Sequence, residues 1–321
     1  MGIRYLNKYL MQNCKNKSIE KKHLSCLGGK KIVVDTSIYL YKYQAQNALQ
    51  ENFYHMISLF RKYNIHPLFV FDGKPPIEKM DALKERKELK DIAETKYYDL
   101  NNSLENMDSD DEELRETILL EMEQLKRQFT KISDKNVKSV KKIMDAYGVS
   151  YYDAPGEADK VCAYLCQKFQ FPCMSDDMDM FVFECPFVIR QFQLSNGTFL
   201  FYKKDEILQE LQMSFPLFKQ ICVLSGTDYN IYDNNTSLNE TLKWLKEYKK
   251  SEQNEITEFA FYHWLFKNTK YIQNLESLIE IHNIYKMDKN NEILDNLSIM
   301  NKDTDVLLLR NTMSEYGFIF T

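Results

Sequence analysis

The sequence lacks several features that mark particular classes of protein. It contains no run of eighteen apolar residues, so no membrane-spanning helix is predicted. The N-terminal residues have neither the apolar stretch nor the small-residue cleavage site of a secretory signal. No Pro- or Gly-rich linker and no internal repeat interrupts the 321 residues. We therefore expect an intracellular chain without membrane contact, folded as one globular unit.

Paired metal-binding cysteines are also lacking. The seven cysteines are odd in number and scattered, without a Cys-x-x-Cys pair or a cluster of histidines beside them. Structural zinc sites need such spacing. Cys162 and Cys166 lie four residues apart on a predicted helix, with Cys173 nearby. We interpret them as reduced cysteines of an intracellular protein's core.

The chain has no excess of positive charge either. Its formal net charge is −5 and its pI is about 5.7, which argues against a nonspecific polycation. Nucleic-acid binding is still compatible with this charge, because local basic surface decides it. Hydrophobic residues make up 44% of the chain, enough for a sizeable core.

Short β-like runs alternate with helical stretches over much of the sequence. This alternation predicts an α/β fold, a parallel sheet with helices on both faces. Four of the runs lead directly into acidic residues, at the edge where such sheets bind ligands. The predicted strands are Lys31–Val34, Pro67–Phe71, Ser150–Tyr152, Pro172–Met174 and Phe187–Phe192.

Residues 77–148 differ from their surroundings, since they are long, charged and mostly helical in character. We predict a helical insertion in the α/β domain here. An acidic patch at residues 108–113 lies in its middle, with basic residues on both sides. The alternative is a solvated helical hairpin without a contact role. Further helices are predicted from Asp205 to the C-terminus.

The acidic motifs carry a resemblance to a known family. In order along the chain they are Met1-Gly2-Ile3, Val33-Val34-Asp35-Thr36-Ser37, Phe69-Val70-Phe71-Asp72-Gly73-Lys74, Ala154-Pro155-Gly156-Glu157-Ala158-Asp159, Ser175-Asp176-Asp177-Met178-Asp179 and Leu224-Ser225-Gly226-Thr227-Asp228-Tyr229. Each motif alone is weak, but their order and spacing together resemble the flap endonuclease family of structure-specific 5′ nucleases. The resemblance covers roughly residues 1–230. Its shortened form is of the kind expected from a large DNA virus or a reduced genome.

By this resemblance, seven carboxylates share two Mg²⁺ ions: Asp35, Asp72, Glu157, Asp159, Asp177, Asp179 and Asp228. Magnesium is a hard cation that prefers oxygen ligands, so a pocket of carboxylates without His or Cys suits it, and Mn²⁺ is expected to substitute. Two such ions activate a water and stabilise the leaving oxygen. Taken singly, each acid is also compatible with a turn or a helix cap.

The resemblance also assigns residues that contact DNA. Lys79 and Arg86, which lie two helical turns apart, would contact the scissile phosphate from a helical arch. Tyr41 falls where the family stacks an aromatic ring on an unpaired nucleotide. Gly2 and Lys74 are further candidates for backbone and phosphate contact. Solubility, for the basic residues, and core packing, for Tyr41, are the alternative roles.

Three features depart from the family pattern. Asp159 replaces a Glu. No Gly occurs between Gly226 and Gly317, although the family's duplex-binding hairpin is Gly-rich. The lysines of the following helix would substitute for that hairpin: Lys243, Lys246, Lys249 and Lys250. The C-terminal residues lack the Gln and the spacing of a clamp-binding peptide, so no binding to a sliding clamp is predicted.

Together these features predict a PIN-like α/β nuclease core at residues 1–230, with a helical arch at about 77–148. Residues 231–321 would form a helical, duplex-binding region of the same globular unit. We expect a monomeric, Mg²⁺-dependent 5′ flap endonuclease and 5′–3′ exonuclease that acts on branched or flapped DNA at a nuclear or cytoplasmic replication site. A junction resolvase or ribonuclease of the same superfamily, or a catalytically silent DNA-binding scaffold, is the alternative.

Overall fold

A seven-stranded sheet forms the centre of the computed structural model, which describes residues 2–3, 5–14, 17–105, 112–230, 237–251, 258–287 and 290–320. The strands are β1 (Ile19–His23), β2 (Lys31–Asp35), β3 (His66–Phe71), β4 (Ser150–Asp153), β5 (Cys173–Met174), β6 (Phe187–Gln193) and β7 (Thr198–Lys203). Across the sheet they lie in the order β1-β7-β6-β5-β2-β3-β4.

The sheet is mixed. Strands β6, β5, β2, β3 and β4 run parallel to one another, whereas β7 is antiparallel to both β6 and β1. The parallel part consists of the five predicted strands, so the α/β class is confirmed. Strands β1 and β7 are present in the structure but were not predicted from the sequence. The sequence of β1 is mostly charged, as is common in an edge strand that only one neighbour covers.

The two faces of the sheet bury separate hydrophobic clusters. Along β2, Val33 packs into one cluster while Ile32 and Val34 pack into the other. Successive side chains of a strand point to opposite faces, and a central parallel strand buries both. The uninterrupted apolar run of β2 is therefore what places it in the middle of the sheet.

Helices cover both faces. The face that includes Val33 is covered by α1 (Leu6–Asn13), α7 (Ala158–Phe169), α8 (Asp179–Val182), α9 (Lys204–Glu210), α10 (Phe215–Leu224), α11 (Leu238–Lys250), α12 (Ala260–Asn268), α13 (Leu275–Ile284) and α14 (Glu292–Asp295). The opposite face is covered by α2 (Thr36–Ala45), α3 (Leu49–Lys62), α6 (Asp134–Tyr147) and α15 (Val306–Ser314).

The remaining two helices, α4 (Met80–Glu105) and α5 (Glu112–Phe129), form a long pair within the predicted insertion. Ala93, Met122 and Leu125 are buried where the two helices meet. A short 3-10 turn, Ile77–Lys79, leads into α4. Of the acidic patch at residues 108–113, only Glu112 and Glu113 lie within the described residues, at the start of α5.

Helix α6, the third helix of residues 77–148, packs into the core. Val140, Ile143 and Met144 are fully buried in the cluster that also contains α3. Ser133 caps the first turn of α6 in a capping box with Asn136, and Gly148 ends the helix at a φ of +63°. The projecting part of the insertion is therefore the α4–α5 pair. The domain limits given above stay predictions.

The C-terminal segments return to both sides of the sheet. Helix α15 packs beside α6, and the rings of Phe318 and Phe320 lie 5.0 and 6.0 Å from the ring of Tyr54. Helices α10 to α13 pack together at the other side. Among the helices described, none combines the length and the apolar character needed to cross a bilayer.

Candidate active site

Two acidic residues lie at neighbouring strand ends. Asp35 is the last residue of β2 and the N-cap of α2, and Asp72 follows β3 directly. The strands are parallel and Asp35 is in register with Val70. Because carboxyl ends of parallel strands share one edge of a sheet, the two carboxylates meet there.

The start of α7 joins the same edge. Glu157 is the N-cap residue of α7 and Asp159 lies in its first turn. The backbone N–H of Ala158 donates to Asp72 Oδ1 at 2.7 Å. Gly73 packs against this segment so closely that an added Cβ would lie 2.1 Å from the carbonyl oxygen of Ala154. A glycine is therefore needed where β3 and α7 meet.

Ser175 links Asp35 to the loop that follows β5. Its hydroxyl donates to Asp35 Oδ2 at 2.8 Å and accepts from the N–H of Asp177 at 3.1 Å. Asp177 Oδ1 in turn accepts from the N–H of Asp179 at 3.0 Å. These bonds tie the loop that contains Asp177 and Asp179 to the end of β2. Sequence reasoning did not single out Ser175.

Two cations bind the carboxylates. Lys79 Nζ lies 2.5 Å from Glu157 Oε1 and 3.7 Å from Asp228 Oδ2, and Arg86 donates to the same oxygen of Asp228 at 2.5 Å. Asp228 lies on the segment after α10, so these ion pairs connect that segment with the beginning of α4 and the 3-10 turn before it. Lys79 is only 7% exposed, which shows that it is part of the site and not a solvated surface lysine.

Two tyrosine hydroxyls donate hydrogen bonds to the carboxylates. Tyr229 donates to Glu157 Oε2 at 2.8 Å, and Lys79 Nζ lies 4.9 Å from the centre of the Tyr229 ring. Tyr285, next to the end of α13, donates to Asp179 Oδ2 at 2.9 Å and is buried. The rings of Tyr229 and Tyr285 meet edge to face at 5.6 Å. The C-terminal region therefore contacts the site directly.

The N-terminus is part of the site as well. Gly2 has a φ of +74°, and a Cβ added there would lie 2.2 Å from Asp177 Oδ1 and 2.5 Å from Asp179 Oδ1. A side chain at position 2 would therefore occupy the space between these carboxylates. This contact gives Gly2 a steric role beside the backbone contact with DNA predicted for it.

Crowding makes the ionised form of several carboxylates unfavourable. Burial, with added repulsion from neighbouring carboxylates, raises the pKa of Asp35, Asp159 and Asp179 well above the usual range. Burial also raises the pKa of Asp177. Burial opposes the charge of Lys79 and Arg86, but the carboxylates outweigh it and raise the pKa of both. The site therefore needs positive charge.

The donors suit a hard divalent cation. The seven acidic side chains offer only oxygen, and neither His nor Cys lies among them. Asp179 Oδ1 is buried and has no hydrogen-bond partner, so a ligand oxygen is already desolvated there. Lys79 and Arg86 pair with Glu157 and Asp228, so a metal ion bound by these two carboxylates would compete with both cations.

Tyr41 and Lys74 lie at the rim of the cluster. Tyr41 is 43% exposed, and Lys90 Nζ of α4 lies 5.3 Å from the centre of its ring. Partial burial and the nearby charge of Asp72 raise the pKa of Tyr41, which indicates that the ring borders the acidic edge. Lys74 is exposed on the loop after Asp72. Neither side chain joins the carboxylate network.

Two family models match the segments that build this site. The XPG N-terminal domain matches residues 1–93 and the XPG I-region matches residues 148–228. A flap endonuclease 1 of Encephalitozoon cuniculi is 30% identical over 250 residues, which are 71% of this chain and 68% of that protein. The chain belongs to the XPG family of flap endonucleases. All ten residues predicted for the metals, the cations and Gly2 lie in matched segments.

Other flap endonucleases match this chain over different shares of their own length. Flap endonuclease 1 of Komagataella phaffii is 26% identical over 251 residues, and the match spans 63% of its length. Flap endonuclease 1 of Methanococcus aeolicus is 26% identical over 295 residues, 85% of this chain and 81% of the relative. Several curated relatives are thus matched over less than two thirds of their length.

Solved structures share the fold of the XPG-family chain. The catalytic core of Rad2 superposes with a TM-score of 0.66 at 18% identity, covering 99% of this chain and 96% of that one. The flap endonuclease of Methanococcus jannaschii gives 0.63 at 20% identity, with coverages of 98% and 93%. A junction-resolving enzyme, GEN1, gives 0.61 at 18% identity, with coverages of 98% and 73%.

The residues that sequence reasoning missed differ in how visible they were. Tyr229 directly follows Asp228 in a recognised motif, so its position gave a usable signal. Tyr285 stands in a helical tail without any motif, and neither family model extends to it. Only the packing of α13 against α10 places its hydroxyl at Asp179.

Proposed function

We propose that this protein is a structure-specific 5′ flap endonuclease and 5′–3′ exonuclease that hydrolyses DNA phosphodiester bonds with two Mg²⁺ ions, in replication, repair or recombination. One observation carries the proposal. Seven carboxylates from separate segments lie near the end of the parallel sheet, and two of them, Glu157 and Asp228, pair with Lys79 and Arg86. This arrangement suits the transfer of a phosphoryl group between oxygens, where charge must be neutralised on both sides of phosphorus.

The seven carboxylates would hold the metal. When bound, two Mg²⁺ ions supply Lewis-acid activation of water and stabilise charge on the leaving oxygen, and Mn²⁺ is expected to replace them. Asp35, Asp177 and Asp179 form the side fixed by Ser175 and Tyr285. Glu157 and Asp228 form the side that Lys79 and Arg86 now neutralise. The unpartnered oxygen of Asp179 is the donor best prepared for a metal.

Lys79 and Arg86 would act on the substrate. In the structure they bind Glu157 and Asp228, the only carboxylates within salt-bridge distance of them among the described residues. Once those carboxylates hold metal, both cations would be available to contact the scissile phosphate. Arg86 can bind two phosphate oxygens at once, and Lys79 supplies a point charge. The same two residues would therefore both neutralise the carboxylates and position the substrate.

The 5′ single strand would pass along α4. Tyr41 offers an exposed ring at the rim, and stacking on it does not depend on base identity, which suits an enzyme that reads structure. Lys90, above that ring, and Lys74, on the neighbouring loop, lie where phosphates of the same strand would pass. Gly2 keeps the space beside Asp177 and Asp179 clear for the strand.

Duplex binding would rely on α11 instead of a Gly-rich hairpin. Four lysines of α11 are exposed, but Lys243 and Lys250 pair with Glu240 and Glu247, each at 2.7 Å. Lys246 and Lys249 are therefore the better phosphate contacts. Residues 231–236, which fall in the predicted hairpin segment, lie outside the described residues. We further propose that the protein acts as an intracellular monomer, at a nuclear or cytoplasmic site of DNA replication, without a sliding clamp.

Cleavage assays test the proposal. End-labelled 5′-flap, nicked, blunt, single-stranded and four-way-junction DNA, with an RNA-flap counterpart, would be incubated with Mg²⁺ or Mn²⁺. Wild-type protein would be compared with Asp177→Ala and with the control Asp153→Ala. Asp153 also ends a strand, but it pairs with Lys141 at 2.5 Å outside the carboxylate cluster. We expect flap cutting near the junction by wild type and the control, and none by Asp177→Ala.

Other outcomes would reassign the protein. Preferred cutting of the four-way junction or of the RNA flap would move it to another nuclease of the superfamily. A folded wild-type protein that binds flaps but cuts no substrate with either metal would be a DNA-binding scaffold. Equal activity of Asp177→Ala and wild type would contradict the metal assignment itself.

A further inference from the structure

A group of sulfur atoms lies beneath the carboxylate cluster. Cys162 and Cys166 come from α7, Cys173 from β5, and Cys185 and Met180 from the segment around α8. All five side chains are fully buried. The other three cysteines, Cys14, Cys26 and Cys222, are not part of the group. The proposed nuclease chemistry uses none of these sulfurs.

The geometry of the group is that of a ligand set. The Sγ atoms of Cys166, Cys173 and Cys185 lie within 4.8 Å of one another, and they are the only three potential ligands so close together among the described His, Cys, Asp and Glu residues. Met180 Sδ lies 3.6 Å from Cys173 Sγ and 3.8 Å from Cys185 Sγ. Cys162 is fully buried on α7, one turn before Cys166. Tetrahedral thiolates on zinc lie roughly 3.8 Å apart, given Zn–S bonds of about 2.3 Å, so a small contraction suffices.

Polarisation within the group points the same way. The thiols of Cys173 and Cys185 both donate to Met180 Sδ. Burial is the largest cause that raises the pKa of Cys162 and Cys166. Buried thiols beside a thioether are donors that suit a soft metal ion, which binds cysteine in the thiolate form.

We propose that Cys166, Cys173 and Cys185 form a binding site for one thiophilic d¹⁰ cation, Cu⁺ or Zn²⁺, with Met180 or Cys162 as the fourth donor. Each thiol that ligates the cation releases its proton to solvent, so no oxidant or reductant is consumed. The site is chemically distinct from the carboxylate cluster, because sulfur ligands select soft cations and carboxylates select hard ones.

The position of the site gives it a structural consequence. Asp159 lies at the start of α7, one turn before Cys162, and β5 leads from Cys173 into the loop of Asp177 and Asp179. A cation held between α7 and β5 would brace the two segments that carry these acids. Because the fold holds the three thiols together, the folded chain should bind the cation more tightly than the unfolded chain, and the cation should raise the stability of the protein.

Metal content tests the proposal directly. Full-length protein, kept reduced and free of oxygen, would be incubated with Zn²⁺ or with Cu⁺ in excess Mg²⁺, desalted, and analysed for metal per chain. Co²⁺ serves as a probe in a parallel sample, since thiolate ligation gives a charge-transfer band that carboxylates do not. Cys166→Ala and Cys185→Ala would be compared with Cys222→Ala, which removes an equally buried thiol outside the group.

We expect wild type and Cys222→Ala to retain about one equivalent of Zn²⁺ or Cu⁺ and to show the thiolate band. Both cluster variants should lose them, with at least a tenfold weaker affinity against a chelator. Whichever of the two cations survives competition by the other identifies the metal. Folded wild type that retains neither would overturn the site, and so would equal retention by wild type and Cys185→Ala. The wild-type measurement decides even where a variant fails to fold.

Discussion

The segments matched by the family models and the C-terminal helices contribute to one site in different ways. Residues 1–93 and 148–228 supply every charged group of the carboxylate cluster. The C-terminal helices supply one uncharged hydroxyl, that of Tyr285, which fixes Asp179. Charges that perform chemistry must occur in fixed local patterns, whereas a supporting group can come from any segment that packs nearby. The first kind of residue is therefore visible in sequence and the second is visible only in the fold.

Loss of a core carboxylate should have the largest effect. Asp177→Ala removes a predicted metal ligand whose loop geometry also depends on its bond to the N–H of Asp179. We expect the single-turnover rate of flap cutting to fall by more than about 100-fold, the upper range for a residue that only supports a ligand. Rates would be measured by quench at saturating enzyme.

The matched control for this measurement is Asp153→Ala, an acid at the end of β4 with Lys141 as its partner. Its cutting rate should stay within about twofold of wild type, since surface ion pairs contribute little. A comparable loss in both variants would mean that acids at strand ends act through stability and not through the cluster.

Lys79→Met should have the next largest effect on the cutting rate. The variant separates two proposed functions of Lys79, contact with the phosphate and neutralisation of the carboxylates. The variant removes the cation next to Glu157, so flap cutting should fall about 100-fold if Lys79 stabilises charge on the phosphate. Without DNA, the stabilisation of the variant by Mg²⁺ should instead be larger than that of wild type. Without the ammonium group the carboxylates repel more strongly, so Mg²⁺ should raise the melting temperature by more than in wild type.

Lys87→Met is the control for Lys79→Met. Lys87 lies on the same helix and is exposed. It should change neither the cutting rate nor the response to Mg²⁺ by more than experimental error. A smaller response to Mg²⁺ in Lys79→Met than in wild type would contradict the view that the lysine and the metal neutralise the same carboxylates.

The fold and the charged site were largely readable from sequence because their signals are local. The apolar run of β2 and the acid that ends it lie within five consecutive residues, and the apolar run of β3 likewise leads directly into Asp72. Strands β1 and β7 gave weaker signals, since edge strands carry polar side chains and depend on a partner for their structure. Tyr285 gave none, because only the packing of α13 on α10 brings it to Asp179.

Tyr285→Phe tests that supporting contact with a smaller expected effect. The change removes one hydroxyl and keeps the ring that packs against Phe183 and Tyr229. We expect a Mg²⁺ requirement raised by about 10- to 100-fold, as for other partners of metal ligands, with the cutting rate recovering at saturating Mg²⁺. The measurement is the cutting rate as a function of Mg²⁺ concentration.

Tyr262→Phe provides the comparison, because its buried hydroxyl contacts His282 at 3.1 Å and no carboxylate. It should leave the Mg²⁺ requirement unchanged. If both tyrosine variants shift the requirement equally, the C-terminal helices support the site only through their general stability.

The pH dependence of the metal-free protein should show the smallest effect. The pKa values of Asp35, Asp159, Asp177 and Asp179 are raised in the folded state, mainly by burial. A raised carboxyl pKa stabilises the fold below the ordinary Asp range and loses that contribution as pH rises through the folded-state value. The chelated protein should therefore lose stability from this cluster as the pH increases toward neutrality.

Mg²⁺ should reverse this loss of stability by binding the ionised carboxylates. It adds about 1.4 kcal/mol to the free energy of unfolding when its concentration is ten times its dissociation constant. Melting curves with chelator and with Mg²⁺ across this pH range measure both effects. A stabilisation by Mg²⁺ that is no larger at neutral than at acidic pH would mean that the metal does not bind these carboxylates.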